Sequence, residues 1–232
     1  MRKILITTIL LVFGLLVIFY FRGGSLPEPD LKRTAWIRNA LASGKPVTIV
    51  ALGDSITAGV HAPFTYLDRI GERLRSRYPT SRLILKNAGV PGDTAQRGLQ
   101  RVEQDVVACK PDLVFIEFGW NDLKDGVSRE DFEKALSSIV DRIRQSTSAK
   151  VFLLTTTQVN VVLANWKIKS RNKIIRRIAE EKDCGLIDVY RYFKVARKQG
   201  ADLEELMSDD HIHPSAKGQQ LIARAVLREL VP

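Results

Sequence analysis

At residues 49–59 the chain reads Ile49-Val50-Ala51-Leu52-Gly53-Asp54-Ser55-Ile56-Thr57-Ala58-Gly59. The apolar run over 47–52 is typical of a buried strand, and the small residues from Gly53 onward end it. Reactive groups in an open parallel α/β sheet lie at the carboxyl ends of strands, and Ser55 falls at such an end. We interpret Ser55 as a nucleophile, although Gly-Asp-Ser is also a common turn sequence. A nucleophilic serine needs a base, a group that orients the base and donors for an oxyanion, so the hypothesis requires those groups elsewhere in the chain.

The rest of the chain alternates between apolar strands and amphipathic helices. Strands are predicted at 47–52, 82–88, 112–118, 151–157 and 185–190, and helices at 30–43, 64–78, 93–109, 128–145, 166–182 and 214–230. Asp93 and Gln96 have the spacing of a capping box at the start of the third helix. The strand at 112–118 lacks polar alternation, as expected where both faces of a parallel sheet are covered. This alternation predicts a three-layer α/β sandwich with a five-stranded parallel sheet.

The base is expected near the C-terminus, where residues 210–214 read Asp-His-Ile-His-Pro. The proline biases His213 toward an extended backbone, and it can also serve as the first residue of the last helix. A carboxylate three residues before His213 can bind one ring nitrogen while the other faces Ser55. We therefore assign His213 as the base and Asp210 as its orienting group.

Other assignments of the same residue types stay open. Asp209 and His211 form a rival pair with tighter spacing, and His61, the remaining histidine of the three, is an alternative lining residue of the cleft mouth. A metal site built from Asp209, Asp210, His211 and His213 is a weaker alternative, because His-x-His beside carboxylates is common in loops.

Two further segments offer donors for an oxyanion. Residues 87–94, Asn-Ala-Gly-Val-Pro-Gly-Asp-Thr, form a Gly-rich turn between a strand and a helix, and backbone N–H groups at such a turn attract negative charge. Gly92 has no side chain, so its N–H can approach an oxyanion closely. Asn121, in the Phe-Gly-Trp-Asn-Asp of residues 118–122, can donate its side-chain N–H, although a structural role in a turn is equally consistent with this sequence.

Taken in order, these four segments resemble the sequence blocks of the GDSL or SGNH hydrolase family. The match spans about residues 46–230; its blocks are 53–59, a block centred on Gly92, Gly119-Trp120-Asn121-Asp122, and 210–214. The resemblance implies a flavodoxin-like sheet, a triad of Ser55, Asp210 and His213, and an oxyanion hole formed by Ser55, Gly92 and Asn121. Two departures are Ile56, which replaces the leucine of the GDSL label, and Trp120, which is larger than its counterpart in many members and is expected to line the acyl pocket.

The family resemblance implies hydrolysis of a carboxylic ester or thioester through an acyl-enzyme, with no metal or organic cofactor. Acetylated sugars, lysophospholipids, acyl thioesters and simple esters are all open as substrates. Two alternative functions are consistent with the same sequence. One is an acyltransferase or deacetylase that acts on envelope glycans, and the other is a non-catalytic, membrane-tethered binding module.

Composition limits the partners. The 232 residues with 45% hydrophobic content predict one full-sized domain, and the net charge of +10 predicts attraction to anionic surfaces. No basic run is interleaved with aromatic residues, which disfavours nucleic acid as a partner. Cys109 and Cys184 fit no metal-ligand spacing and are interpreted as buried apolar thiols.

The N-terminal stretch from Ile4 to Phe21 carries no charge and is long enough to span a bilayer. We predict an uncleaved signal anchor at 1–24, a linker and leading helix at 25–45, and the hydrolase domain at 46–232. A cleavable signal peptide is the rival, but it usually ends in a small-x-small site, and bulky residues follow the apolar stretch here. The domain is expected outside the cytoplasm, either periplasmic or extracellular, and secreted if the segment is cleaved.

The predicted helix at 166–182 is strongly basic. Its cations are Lys167, Lys169, Arg171, Lys173, Arg176 and Arg177. A solvated outer face is the favoured interpretation, because charge runs usually mark exposed helix faces. Attraction of this helix to anionic lipid is the alternative.

Overall fold

The computed structural model describes residues 25, 26 and 28–231. Its strands are β1 (Pro46–Gly53), β2 (Arg82–Gly89), β3 (Leu113–Glu117), β4 (Lys150–Leu154) and β5 (Gly185–Ile187). They form a five-stranded sheet in the order β2-β1-β3-β4-β5, and every neighbouring pair is parallel.

Helices cover both faces of this sheet. They are α1 (Ala35–Ala42), α2 (Ser55–Ala58), α3 (Tyr66–Arg77), α4 (Ala95–Asp105), α5 (Trp120–Lys124), α6 (Arg129–Ser146), α7 (Val162–Glu181), α8 (Val189–Lys198), α9 (Leu203–Leu206) and α10 (Ala216–Leu230). Apolar residues of α1, α3, α8 and α10 share one core cluster with the sheet, and those of α4, α6 and the C-terminal half of α7 share another. The predicted three-layer sandwich is therefore confirmed.

The uninterrupted hydrophobicity of β1 follows from these two cores. Ile49 and Ala51 belong to the first cluster, while Val50 and Leu52 belong to the second, and all four side chains are buried. Successive side chains of a strand point to opposite faces, so a strand that is covered on both sides carries apolar residues at consecutive positions.

Strand register brings the predicted site segments together. Gly53 at the end of β1 pairs with Gly89 at the end of β2 and with Glu117 at the end of β3. The segments after these three residues therefore leave the sheet side by side. The chain order also reverses at β1, and this is the position where ligands bind in open α/β sheets.

Local predictions were wrong at several places: β4 ends at Leu154 rather than at 157, α7 begins at Val162 rather than at 166, and three other differences have a clear physical cause. β5 ends at Ile187 because the Asp188 side chain caps the missed helix α8 by accepting from the N–H of Arg191. The cap of α4 is Thr94, since the Asp93 carboxylate binds Arg101. The last helix begins at Ala216 with a Ser215 cap, so the proline at 214 is not its first residue.

The predicted anchor at residues 1–24 lies outside the described residues. Within the described part of the chain, no helix combines the length and the apolar character needed to cross a bilayer. Both cysteines are free thiols; Cys184 is buried, whereas Cys109 is only half-buried, contrary to the prediction.

Candidate active site

Ser55 is the first residue of the short helix α2, directly after β1. Asp54 caps this helix, since its Oδ1 accepts from the N–H of Ile56 at 2.9 Å. Gly89 packs against the other side of α2, where an added Cβ would lie 2.3 Å from the Ala58 nitrogen. Ser55 is thus held between two strand ends, and it is only 5% exposed.

A hydrogen-bonded chain joins Ser55 to His213 and Asp210. The Nε2 of His213 lies 2.8 Å from the Oγ of Ser55. The Nδ1 of the same ring contacts Asp210 Oδ2. The structure therefore brings together the three side chains that the sequence analysis grouped, although Ser55 and His213 are 158 residues apart.

A small loop fixes the imidazole of His213. Met207 and Pro214 form an antiparallel bridge at its base, and the N–H of Ser208 donates to the His213 carbonyl at 2.8 Å. Asp210 Oδ1 accepts from the hydroxyl of Ser208 at 2.7 Å and from the N–H groups of Ile212 and His213 at 2.9 Å. Partial burial opposes ionisation, but the bonds from His213, Ile212 and Ser208 outweigh it and hold the pKa of Asp210 well below its usual range.

The rival pair from the sequence is not assembled. The side chains of Asp209 and His211 are exposed, and within the described chain neither contacts Ser55. His61 instead lies beside the Asp210 carboxylate, with its Nε2 3.7 Å from Oδ2, and its ring meets that of His213 edge-on with centroids 5.3 Å apart. It borders the site, in agreement with the cleft-mouth alternative.

The four-residue metal set considered from the sequence does not form either. Among the described residues, His61, Asp210 and His213 are the group whose donor atoms lie within 4.8 Å of one another. Two members of that group are already bonded to each other, and His213 also contacts Ser55. The contacts among these residues are therefore those of a hydrogen-bonded acid–base system.

Donors for an oxyanion surround Ser55. Within the described residues, the N–H groups of Ser55 and Gly92 donate to no other residue. Gly92 has φ +85, a left-handed conformation that a glycine adopts freely, and no atom of the described residues lies within 4 Å of a Cβ added there. Asn121 is more constrained, because its Nδ2 donates to the Asp93 carbonyl at 3.0 Å and contacts Asp54 Oδ2 at 3.3 Å.

Sequence reasoning missed a buried acidic pair behind the serine. Asp54 and Glu117 are both fully buried; burial raises the pKa of Asp54 to about 7 and the pKa of Glu117 well above its usual range. The Oε2 of Glu117 accepts from Thr57 at 3.4 Å, while Oε1 has no partner that donates to it among the described residues. The interaction between the two carboxyls raises the pKa of Glu117 further and opposes the rise at Asp54, which favours Glu117 as the carrier of a shared proton. One signal was available: a single acid ends the otherwise apolar β3.

Arg101 of α4 was also missed. Its guanidinium donates to the carbonyls of Gly53 at 2.9 Å and Ala88 at 2.8 Å, and to the Asp93 carboxylate at 2.7 Å. One side chain therefore ties the ends of β1 and β2 to the loop that carries Gly92. Its one local partner is Asp105, one turn later in α4, and the local sequence does not indicate the contacts to Gly53, Ala88 and Asp93.

Two other residues of the block from Gly119 to Asp122 contact neighbouring segments. Asp122 accepts from the N–H of Ala95 at 3.0 Å, and burial raises the pKa of Asp122 to about 6. Trp120 begins α5 and is half-buried against the apolar cluster that contains Ile56. Its predicted contact with an acyl group stays a prediction.

Comparisons with known proteins agree with this geometry. The sequence profile of the GDSL-like Lipase/Acylhydrolase family matches residues 51–221. The chain is similar to an acetylxylan esterase of Geobacillus stearothermophilus, with 27% identity over 68% of this chain and 76% of that protein. It is also similar to an arylesterase of Vibrio mimicus, with 28% identity over 82% of this chain and 91% of that one.

The fold is shared with a solved structure. The crystal structure of Axe2, an acetylxylan esterase from Geobacillus stearothermophilus, superimposes with a TM-score of 0.73 and 25% identity, covering 82% of this chain and 97% of that chain. Almost all of that protein corresponds to part of the present chain, so that protein forms the shared fold without a counterpart to the remaining residues.

Proposed function

Because the chain belongs to the GDSL-like Lipase/Acylhydrolase family and is a carboxylic ester hydrolase of that type, we propose that it works through a covalent acyl-enzyme on Ser55. In this proposal His213 is the general base and Asp210 orients it. The observation that carries the proposal is the 2.8 Å contact between His213 Nε2 and Ser55 Oγ.

The proposed reaction has two halves. Ser55 Oγ attacks the ester carbonyl while His213 Nε2 takes its proton, and the tetrahedral intermediate collapses as His213 returns the proton to the leaving alcohol or thiol. Water then loses a proton to His213 and attacks the acyl carbonyl. The bond between the acyl carbon and Ser55 Oγ breaks as the imidazolium returns its proton to Oγ, and the carboxylic acid leaves. The low pKa of Asp210 favours this cycle, since an ionised carboxylate stabilises the imidazolium that forms in each half.

In this proposal, three hydrogen-bond donors stabilise the negatively charged oxygen of the tetrahedral intermediate. The N–H groups of Ser55 and Gly92 are available without breaking another contact in the described structure. The Asn121 amide is the third donor. Its longer contact, at 3.3 Å to Asp54, is the one that an oxyanion would share.

The substrate proposal is a small-acyl ester. The similarity to an acetylxylan esterase supports acetylated glycan as a second candidate, with hydrolysis of the acetyl group or its transfer to an acceptor. Trp120 is proposed to limit the size of the acyl group. A panel of p-nitrophenyl esters of increasing chain length, assayed beside acetylated glycans, separates these substrates.

We further propose that residues 1–24 tether the domain outside the cytoplasm. The support is the uncharged stretch from Ile4 to Phe21 alone. Protease treatment of intact cells should degrade the domain; full protection until the cells are lysed would contradict the proposed side of the membrane.

Ser55→Ala is the decisive test of the mechanism. We expect this variant to lose p-nitrophenyl acetate hydrolysis by a factor of about 10⁴ or more and to lose labelling by a fluorophosphonate probe, because no other group can form the acyl-enzyme. Ser43→Ala, at an exposed serine after α1, is the matched control and should keep both. Full activity in Ser55→Ala would refute the assignment.

A further inference from the structure

The structure divides the basic helix into two sets of cations. Arg171 is buried, with its guanidinium bonded to the Val127 carbonyl, and Arg176 and Arg177 form ion pairs with Asp188 and Glu133. Lys167, Lys169 and Lys173 are exposed, and within the described chain they form no ion pair. The lysines are therefore not required by the packing of α7.

The start of the same helix carries unusually exposed apolar side chains. Val162 is 87% exposed, Leu163 79% and Trp166 72%. Together with Val161 they make up four of the six large apolar side chains that are exposed in the described structure; Ile84 and Val90 are the others. Val161 also occupies the cap position without a side-chain hydrogen bond, although serine, threonine, aspartate or asparagine would stabilise the helix there. These side chains therefore add little buried apolar area to the folded domain.

Apolar and basic residues follow one another along the helix. Val162, Trp166, Lys169 and Lys173 are spaced by four, three and four residues, so they lie on one face. The apolar residues lie at the N-terminal end of the helix. Lys173 lies roughly 10 Å beyond Trp166 along the axis, at 1.5 Å per residue. No acidic residue occurs in α7 before Glu180. An apolar tip followed by lysines matches the depth profile of an anionic bilayer, with acyl chains below and phosphates above.

This helix end is connected to the loop that carries His213. The Asn165 side chain binds Val159 and the carbonyl of Val161, and the N–H of Asn160 donates to the His211 carbonyl at 2.9 Å. The exposed tip is therefore connected through Asn160 to the loop that carries His213.

We propose that Val162, Leu163 and Trp166, with Lys167, Lys169 and Lys173, form an interfacial patch that docks the domain onto an anionic lipid bilayer. The apolar residues enter the interface, and the lysines bind headgroup phosphates. Docking brings the loop that carries His213 toward the bilayer, independently of the N-terminal stretch. The net charge of +10 adds a long-range attraction of the same sign.

Vesicle flotation with residues 25–232, the part that includes the whole described fold, tests this patch. We expect binding to phosphatidylcholine vesicles that contain phosphatidylglycerol, weaker binding as salt is raised, and little binding to pure phosphatidylcholine. The variant Lys167→Gln, Lys169→Gln, Lys173→Gln should lose about 100-fold in partition coefficient, because each lysine near an anionic surface contributes about a factor of five.

The apolar variant Val162→Gln, Leu163→Gln, Trp166→Gln should also lose vesicle binding, with p-nitrophenyl acetate hydrolysis unchanged. Ile84→Gln removes an exposed apolar side chain elsewhere and should bind as the parent does, and Lys45→Gln, Lys86→Gln, Lys110→Gln makes the same charge change elsewhere and should lose far less binding than the Lys167, Lys169 and Lys173 variant. Ser55→Ala should bind vesicles fully, which separates this proposal from the proposed catalytic mechanism. No binding by the parent, unchanged binding by the apolar variant, or equal binding to neutral vesicles would overturn the patch.

Discussion

At the scale of single residues, Asn121 combines a structural role with a proposed catalytic role. Its amide nitrogen holds the Asp93 carbonyl and contacts Asp54, so it joins the loops after β1 and β2 while also being the proposed third oxyanion donor. A donor that is fixed before the reaction begins stabilises the transition state without reorganisation.

Asn121→Ala is expected to lower kcat by about 10²–10³, with a much smaller change in KM, because the lost hydrogen bond forms fully only with the oxyanion. Steady-state kinetics on p-nitrophenyl acetate measure this split. Far-ultraviolet circular dichroism should show that the variant is folded. A rise in KM alone, with kcat retained, would assign Asn121 to substrate binding.

The sequence indicated the residue types of the site better than their surroundings. Ser55, Asp210 and His213 were predictable because each lies in a short motif whose spacing has chemical meaning. The pairing of Asp54 with Glu117 was not, because it depends on the register Gly53–Glu117 between β1 and β3. Strand pairing is a property of the folded chain, and no local pattern around Glu117 encodes it.

At the scale of elements, α4 connects the ends of two strands. Arg101 is 16% exposed and its partner Asp93 is 10% exposed, so this ion pair is largely removed from water. Arg101 also donates to the carbonyls of Gly53 and Ala88 where the two strands end, and the Gly53 carbonyl accepts a second bond from the N–H of Val90 at 3.0 Å.

Arg101→Met should lower the free energy of unfolding by about 3–5 kcal/mol, because it leaves a buried carboxylate without its partner. It should also lower kcat, since the Gly92 loop loses its tie to the sheet. Urea denaturation gives the first quantity. Arg142→Met, which breaks the exposed pair with Glu103, is the matched control and should cost less than about 1 kcal/mol; equal losses in the two variants would contradict the role of Arg101.

The major elements were predictable because long periodic segments dominate their sequences. The shorter helices were not. α8 follows β5 without a break, and its cap, Asp188, lies within the segment predicted as strand. Arg176 also binds Asp188, so the residue that ends the strand is fixed by a contact from α7. A tertiary contact of this kind overrides local propensity.

At the scale of the whole molecule, the buried acids link stability to pH. The pKa values of Asp54 and Glu117 are raised above their values in an unfolded chain, so the native state binds more protons than the unfolded state. Stability from this pair is complete below about pH 4 and is lost as the pH rises through about 7 and beyond. Asp122 acts in the same direction, and Asp210 acts in the opposite direction.

Glu117→Gln should flatten this dependence, because glutamine can still donate to Asp54 but cannot ionise. For each extra proton that the native parent binds, the free energy of unfolding should fall by about 1.4 kcal/mol per pH unit as the pH rises. In the variant this dependence should be weaker by the contribution of at least one proton. Urea titrations between pH 5 and 8.5 measure both slopes. Glu103→Gln, at an exposed acid, should give a curve parallel to the parent, and an unchanged slope in Glu117→Gln would show that the pair binds no extra proton.

The contact between Ser55 and His213 joins positions 158 residues apart, one at the start of the sheet and one after its last strand. Under the proposed mechanism, a nascent chain that ends before residue 213 contains the hydroxyl and the first strands but lacks the imidazole assigned to activate it. We therefore expect incomplete translation products to be inactive toward esters, so that hydrolysis begins only after synthesis has passed β5.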